Sequence, residues 1–193
     1  MSVGNCRGCQ REDLHKACPA YGTPFYMSEL PYTEKIQSAR NLSWRIHLGQ
    51  KRWSGSDYFE DHINGVVASL VNIVEDIKDT MPVEDMEYIF CLAYLHDTVE
   101  DCKYEDLQFL NESLKSFPDI QDDLTLLTRQ KDIPYFDYIK KIADNASNAC
   151  LLVKMADLHH NSNSMNDEQK LKDKYSKYML SGHLLSMKFK YGV

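Results

Sequence analysis

The chain has 193 residues, of which 43% are apolar and 11% aromatic, and a formal net charge of −7; these values suit one globular domain with at most a small appendage. An acidic balance of this size argues against indiscriminate nucleic-acid binding and against an anionic membrane surface. No apolar stretch reaches membrane-spanning length and no secretory signal pattern opens the sequence, so a cytoplasmic protein is expected.

The first 32 residues carry Cys6, Cys9, His15 and Cys18 in a C-x2-C-x5-H-x2-C arrangement. Three thiolates and an imidazole suit a closed structural Zn2+ site in a segment with little core of its own. Reduced cytosolic thiols beside a solvated histidine are the alternative. The turn Tyr21-Gly22-Thr23-Pro24 then leads toward a main domain expected to span 33–193.

From there the apolar periodicity is helical throughout. It predicts helices over about 33–49, 58–78, 83–97, 104–115, 120–129, 135–144, 147–161 and 168–188, separated at Gly55, Pro82, Pro118 and Pro134. Strand-like alternation is nowhere sustained, so the expected class is all-α.

In the second of these helices Phe59, Ile63, Val66, Val67, Leu70, Val71 and Val74 form one stripe, and His62 lies beside it. A lone histidine there is more often a satisfied core residue than a ligand. The third helix is apolar from Tyr88 to Leu95 and then meets His96-Asp97-Thr98-Val99-Glu100-Asp101. An ionisable pair at the end of a buried run is costly unless a counter-charge neutralises it. On a continuing helix Glu100 would lie one turn beyond His96 and Asp101 one turn beyond Asp97, supplying ligands and a base.

Tyr135 and Tyr138 follow Arg129 and Lys131; they read as amphipathic packing, with a nucleotide-facing role left open. Further on, Leu151, Leu152, Val153, Met155, Ala156 and Leu158 are interrupted by Lys154, Asp157 and Asn161, a polar stripe on an otherwise buried helix. Asp157 in such a place needs a cation. His62, His96, Asp97 and Asp157 together offer two imidazoles and two carboxylates, a set that suits manganese, iron or zinc. Mn2+ is the ion carried forward as the expectation.

The order His62, His96-Asp97, Asp157 is similar to that of the HD superfamily of metal-dependent phosphohydrolases. Within it, the stretch from His47-Leu48-Gly49-Gln50-Lys51-Arg52 to Glu60-Asp61-His62, the run His96 to Asp101, and Val153-Lys154-Met155-Ala156-Asp157 with Asn161 resemble the RelA/SpoT-type alarmone hydrolase domain and its small stand-alone relatives. The resemblance covers about residues 37 to 180. It implies an HD-domain helical bundle in which His62, His96, Asp97 and Asp157 hold the metal, and Glu100 and Asp101 position and deprotonate the attacking water. Lys51 and Arg52 match a basic pair near the substrate, Lys154 and Asn161 would line the pocket, and Lys174 with Tyr178 matches an Arg-x-x-x-Tyr pattern with lysine substituted. Ile63 stands where the family usually has proline, Ser162-Asn163-Ser164 lacks a basic residue that often follows the asparagine, and His159 and His160 flank the metal aspartate unusually.

The implied reaction is hydrolysis of a nucleotide phosphoester, in its sharpest form removal of the 3′-pyrophosphate from guanosine 3′,5′-bis(diphosphate), ppGpp. A phosphorylated small-molecule substrate would be drawn in locally by the metal and by Lys51, Arg52, Arg129, Lys131 and Lys154. Two alternatives are a phosphatase for another nucleotide or phosphorylated metabolite, and a non-catalytic nucleotide-binding adaptor using the cysteine segment for interaction. Nucleic acid and membrane are not expected partners, and the oligomeric state is left open.

Overall fold

The residues from Phe90 to Leu95 expose essentially no surface, so the second half of the helix that carries them, α3 (Val83–Leu95), is apolar on every side. Such a helix must be enclosed by others. In the computed structural model, which describes residues 33–75, 77–165 and 169–192 (side chains of 169–173 excepted), α1 (Glu34–Ile46), α2 (Asn64–Val74), α6 (Gln121–Leu127) and α8 (Asn148–Asn163) pack around it. The expected zinc ligands Cys6, Cys9, His15 and Cys18, and the whole 1–32 segment, lie outside the described residues.

The chain is all-α. Remaining elements are α4 (Thr98–Asp101), α5 (Leu107–Leu114), α7 (Tyr135–Asn145) and α9 (Gln169–Tyr191), with 3-10 turns at Lys78–Thr80, Tyr104–Asp106 and Pro118–Ile120. Among the described residues the extended pairing is limited to one antiparallel bridge, Lys51 with Asp57. No described helix is long and apolar enough to cross a membrane.

The departures from the expected helices fall where the site is built. The helix expected over 58–78 opens with a π turn, Phe59–Ile63, in which the Asn64 amide reaches back to Phe59 O. Such wide turns are frequent at functional sites, and this one carries His62. The helix expected over 83–97 stops at Leu95, where Thr98 Oγ1 donates to Leu95 O at 2.7 Å and competes with the backbone ladder. His96 and Asp97 therefore occupy a step between α3 and α4. Ahead of these, Gly49 at φ 77° turns the chain out of α1, a conformation that favours glycine.

Most of the core is one cluster under α1, α2, α3, α6 and α8. A second, smaller one joins Tyr138, Ile139, Ile142 and Ala143 of α7 to Leu151, Leu158 and Leu185. Helix α8 spans both. Its N-terminus is fixed by Ser147, whose hydroxyl accepts from Cys150 N at 3.1 Å and donates to the buried Asp123 carboxylate. Tyr88 donates to the same carboxylate at 2.8 Å. Asp123→Ala leaves both hydroxyls without their acceptor, so thermal unfolding is expected to show a loss of about 1–3 kcal/mol. A melting temperature equal to that of wild type would show that Asp123 does not anchor α8.

Candidate metal centre and its cavity

Three local structures converge on one point: the π turn brings His62, the α3–α4 step brings His96 and Asp97, and the middle of α8 brings Asp157. Donor atoms of His62, His96 and Asp157 lie within 4.8 Å of one another and are buried. The two Nε2 atoms are 3.3 Å apart. Asp97 Oδ2 stands 3.0 Å from His62 Nε2 and 3.1 Å from His96 Nε2, and Asp157 Oδ1 is 3.6 Å from His62 Nε2.

These groups demand positive charge. Burial works against an ionised Asp97, yet the adjoining His96 and His62 imidazoles hold its carboxyl well below the usual range. Burial likewise opposes a charged His96, but Asp97 and then Asp157 lift it to about 9. Asp157 also meets a burial penalty, which Lys154 and the histidines overcome, and its carboxyl is lowered. Lys154 Nζ sits 2.7 Å from Asp157 Oδ2, and Asn161 Nδ2 donates to Oδ1 at 2.6 Å.

The donor chemistry fits a divalent cation. His96 Nδ1 lies 2.8 Å from Ala93 O, which only accepts, so a proton stays on Nδ1 and it is Nε2 that would give up its proton and offer a lone pair to a cation. His62 is under a different constraint. Its Nδ1 is 3.0 Å from Arg52 Nη1, and a guanidinium has no lone pair, so a bond forms only when Nε2 keeps the proton. With Nε2 given to a cation, the proton moves to Nδ1 and that bond is lost. Arg52 keeps its other partners: His160 Nε2 at 3.0 Å, Asn161 Oδ1 at 3.2 Å, Ser164 Oγ at 3.1 Å and Asp61 at 3.6 Å.

Behind the cluster, Tyr58 donates to Asp97 Oδ2 at 2.7 Å and stacks on His47, with ring centroids 5.0 Å apart. Burial raises the Tyr58 phenol further above its usual range, and Asp97 adds to this. Buried His47 donates through Nδ1 to Gln50 Oε1, and Gln50 Nε2 donates to Asp101 Oδ2, both at 2.8 Å. The amide order is self-consistent, since the opposite flip would place an oxygen against the carboxylate.

In front of the cluster lies a cavity of about 490 Å³. Of the residues expected at the site, His62, Asp97, Asp157, Glu100, Lys51, Arg52, Lys154, Asn161, Lys174 and Tyr178 line it. His96 is buried behind them. Asp101 is held by Gln50 and is not part of the lining. Glu100 Oε2 accepts from Arg129 N at 3.1 Å, and partial desolvation at the wall, with the nearby charges of Asp97 and Asp101, raises its carboxyl. Arg129, Lys174 and Lys177 form no ion pair with a described carboxylate. Burial, Arg129 and Lys174 together lower the Lys177 ammonium.

Sequence reading missed Tyr58, Gln50, Trp53, Lys177 and Gly65. Gln50 stands inside the quoted motif, but its partner is 51 positions away. At Gly65 a Cβ would meet His160 Cε1 at 2.2 Å, so the imidazole packs directly on the α2 backbone. Gly65→Ala should therefore displace His160 from Arg52 and destabilise the fold by about 1–3 kcal/mol, read by thermal unfolding. An unchanged melting temperature would mean that His160 moves aside freely.

Neither a family model nor a curated protein sequence matches the chain. Among solved structures it resembles one described as a metazoan ortholog of SpoT that hydrolyzes ppGpp and plays a role in starvation responses. The TM-score is 0.55 at 18% sequence identity, over 83% of this chain and 88% of that one. At that identity the likeness establishes the fold, an HD-type helical bundle like that of the ppGpp hydrolase.

Proposed function

We propose that the protein is a metal-dependent phosphohydrolase for a nucleotide, most closely a guanosine 3′,5′-bis(diphosphate) 3′-pyrophosphohydrolase. One observation carries this reading: a single cavity has the His62 imidazole and the Asp97 and Asp157 carboxylates at its floor and the cations Arg129, Lys174 and Lys177 without described counter-ions on its walls. A floor of that kind suits a metal, and such walls suit a ligand with several phosphates.

His62, His96, Asp97 and Asp157 would hold the ion, with Mn2+ our choice. When bound, it would polarise a phosphoryl oxygen and acidify the attacking water. Glu100, its carboxyl raised and its position set by the Arg129 amide, takes the proton from that water as oxygen attacks phosphorus. The P–O bond to the nucleoside oxygen breaks, that oxygen takes up a proton by way of Glu100 or solvent water to leave as a hydroxyl, and the phosphorus carries the water's oxygen away as pyrophosphate. Asp101 supports this from outside the cavity by its charge, which helps keep the Glu100 carboxyl high. Lys154 and Asn161 hold Asp157. Lys51, Lys174 and Tyr178 meet the substrate at the wall, while Arg52, with a side chain 8% exposed, chiefly positions the histidines and Asn161.

Asp97→Ala and Asp157→Ala should each release the transition metal and abolish hydrolysis. Full metal content in both, by elemental analysis, would sink the ligand assignment. Glu100→Gln should keep the metal and lose turnover by about 10²-fold or more. Unchanged kcat would remove Glu100 from the chemistry.

Substrate choice is tested by incubating metal-loaded protein with ppGpp, nucleoside mono- and triphosphates and cyclic dinucleotides, with products identified by mass spectrometry. Pyrophosphate from ppGpp alone supports the narrow reading; release from other nucleotides supports a broader HD phosphatase. We further propose a cytoplasmic protein with a separate zinc-binding segment at 1–32. Cys6→Ser with Cys9→Ser should then remove zinc, selected by thiolates, while leaving the catalytic ion in place. Zinc content equal to that of wild type would show that the thiols hold none.

A further inference from the structure

Trp53 is left out of the chemistry described so far, yet it lines the same cavity as Asp97 and Asp157 with 56% of its surface exposed. Among the described residues its ring stacks on no other and its indole N–H has no partner. An indole is a large apolar surface to leave in water, and aromatic side chains lining a cavity are a common means of holding a ligand.

The backbone beneath it is unusually well fixed. Arg52 N donates to Ser56 O at 3.0 Å and Gly55 N to Arg52 O at 2.9 Å, closing a turn in which Gly55 takes a φ of 88°. The Lys51–Asp57 bridge pins the base of that turn. The neighbouring Arg52 side chain is clamped by His160, Asn161, Ser164 and Asp61. A flat aromatic face is thus presented from a rigid turn beside a cavity whose other rings, Tyr58, Tyr135, Tyr138 and Tyr178, are already engaged with one another or with His47. Preorganisation of this kind lowers the ordering cost of binding a planar group.

We propose that Trp53 is the base-stacking residue of the cavity and that it makes the protein select nucleotides over base-free phosphates. This rests on the nucleotide reading above. The polar walls recognise phosphates, which a nucleotide shares with pyrophosphate. Of the aromatic residues lining the cavity, Trp53 is the one with no described ring partner and the most open face, and it offers the plane that discriminates between the two. Stacking on an aromatic face tolerates any base, so selection is for a nucleobase as a class.

The test uses the full-length protein with guanosine 5′-diphosphate and inorganic pyrophosphate as probes, binding being measured by calorimetry and by indole fluorescence. Guanosine diphosphate should quench wild-type emission, and the quench should vanish in Trp53→Phe although Trp44 remains. Trp53→Ala should weaken the nucleotide about 10- to 100-fold and pyrophosphate less than about twofold, with Trp53→Phe restoring most of the loss. Equal weakening of both probes, or of neither, would overturn the proposal. Base-dependent binding without hydrolysis of any nucleotide would keep the stacking role and discard the hydrolase. Hydrolysis indifferent to Trp53 would do the reverse, and a wild-type protein that binds no nucleotide would discard both.

Discussion

Two carboxylates, the buried Asp157 and the partly exposed Asp97, govern the rest of the structure, because neither keeps its charge at this depth without compensation. They are compensated differently. Asp157 has a full countercharge in Lys154 and an amide donor in Asn161, both from its own helix and therefore fixed by helical spacing. Asp97 has the Tyr58 hydroxyl and the imidazoles of His62 and of its own neighbour His96, and the imidazoles carry charge only when protonated. The acidic side of the cluster is thus incompletely balanced by permanent charge. That imbalance is what makes a cation at this point physically reasonable.

The surroundings serve to keep these groups in place. Arg52 gathers His160, Asn161, Ser164 and Asp61 into one network, so a single guanidinium ties the loop before the π turn to the C-terminal half of α8. His160 reaches it because Gly65 leaves room on α2. On the opposite side, His47 supports Tyr58 by stacking and Gln50 by hydrogen bonding, and these lead to Asp97 and Asp101 respectively. Asp97 in the α3–α4 step and Asp101 at the end of α4 are therefore steered from the end of α1. The unsatisfied, buried Nε2 of His47 fits this role, since a neutral ring donating through Nδ1 suffices for it.

The sequence revealed those parts of the site that violate local pattern. An His-Asp pair closing an apolar run, a histidine beside a helical stripe, and Lys154, Asp157 and Asn161 on a buried helix are each conspicuous against the rule that apolar residues fill interiors. The all-α class and most helix limits follow from the same periodicity. What local pattern does not encode is pairing across distance. Nothing near Gln50 points to Asp101, and Lys177 looks like any solvated lysine on an amphipathic helix. Likewise, the π turn at Phe59–Ile63 follows the same apolar spacing as the α-helix that was expected, since the two differ in backbone bonding and not in which residues are buried. Gly65 is a similar case, because its importance comes from a ring 95 positions later in the chain.

The distribution of charge bears on how a substrate enters. The chain is acidic as a whole, so an anionic ligand meets a repelling surface at long range. At physiological salt that repulsion fades beyond about 8 Å, and the field that decides binding is the local one inside the cavity. There, Arg129, Lys174 and Lys177 oppose the acidic floor. Burial, and then repulsion from Arg129 and Lys174, lower the Lys177 ammonium, and an anion placed among the three relieves that repulsion. The carboxylate floor repels the same anion unless a cation lies between them, so on the proposed reading a metal at the floor and the basic wall act on the ligand together.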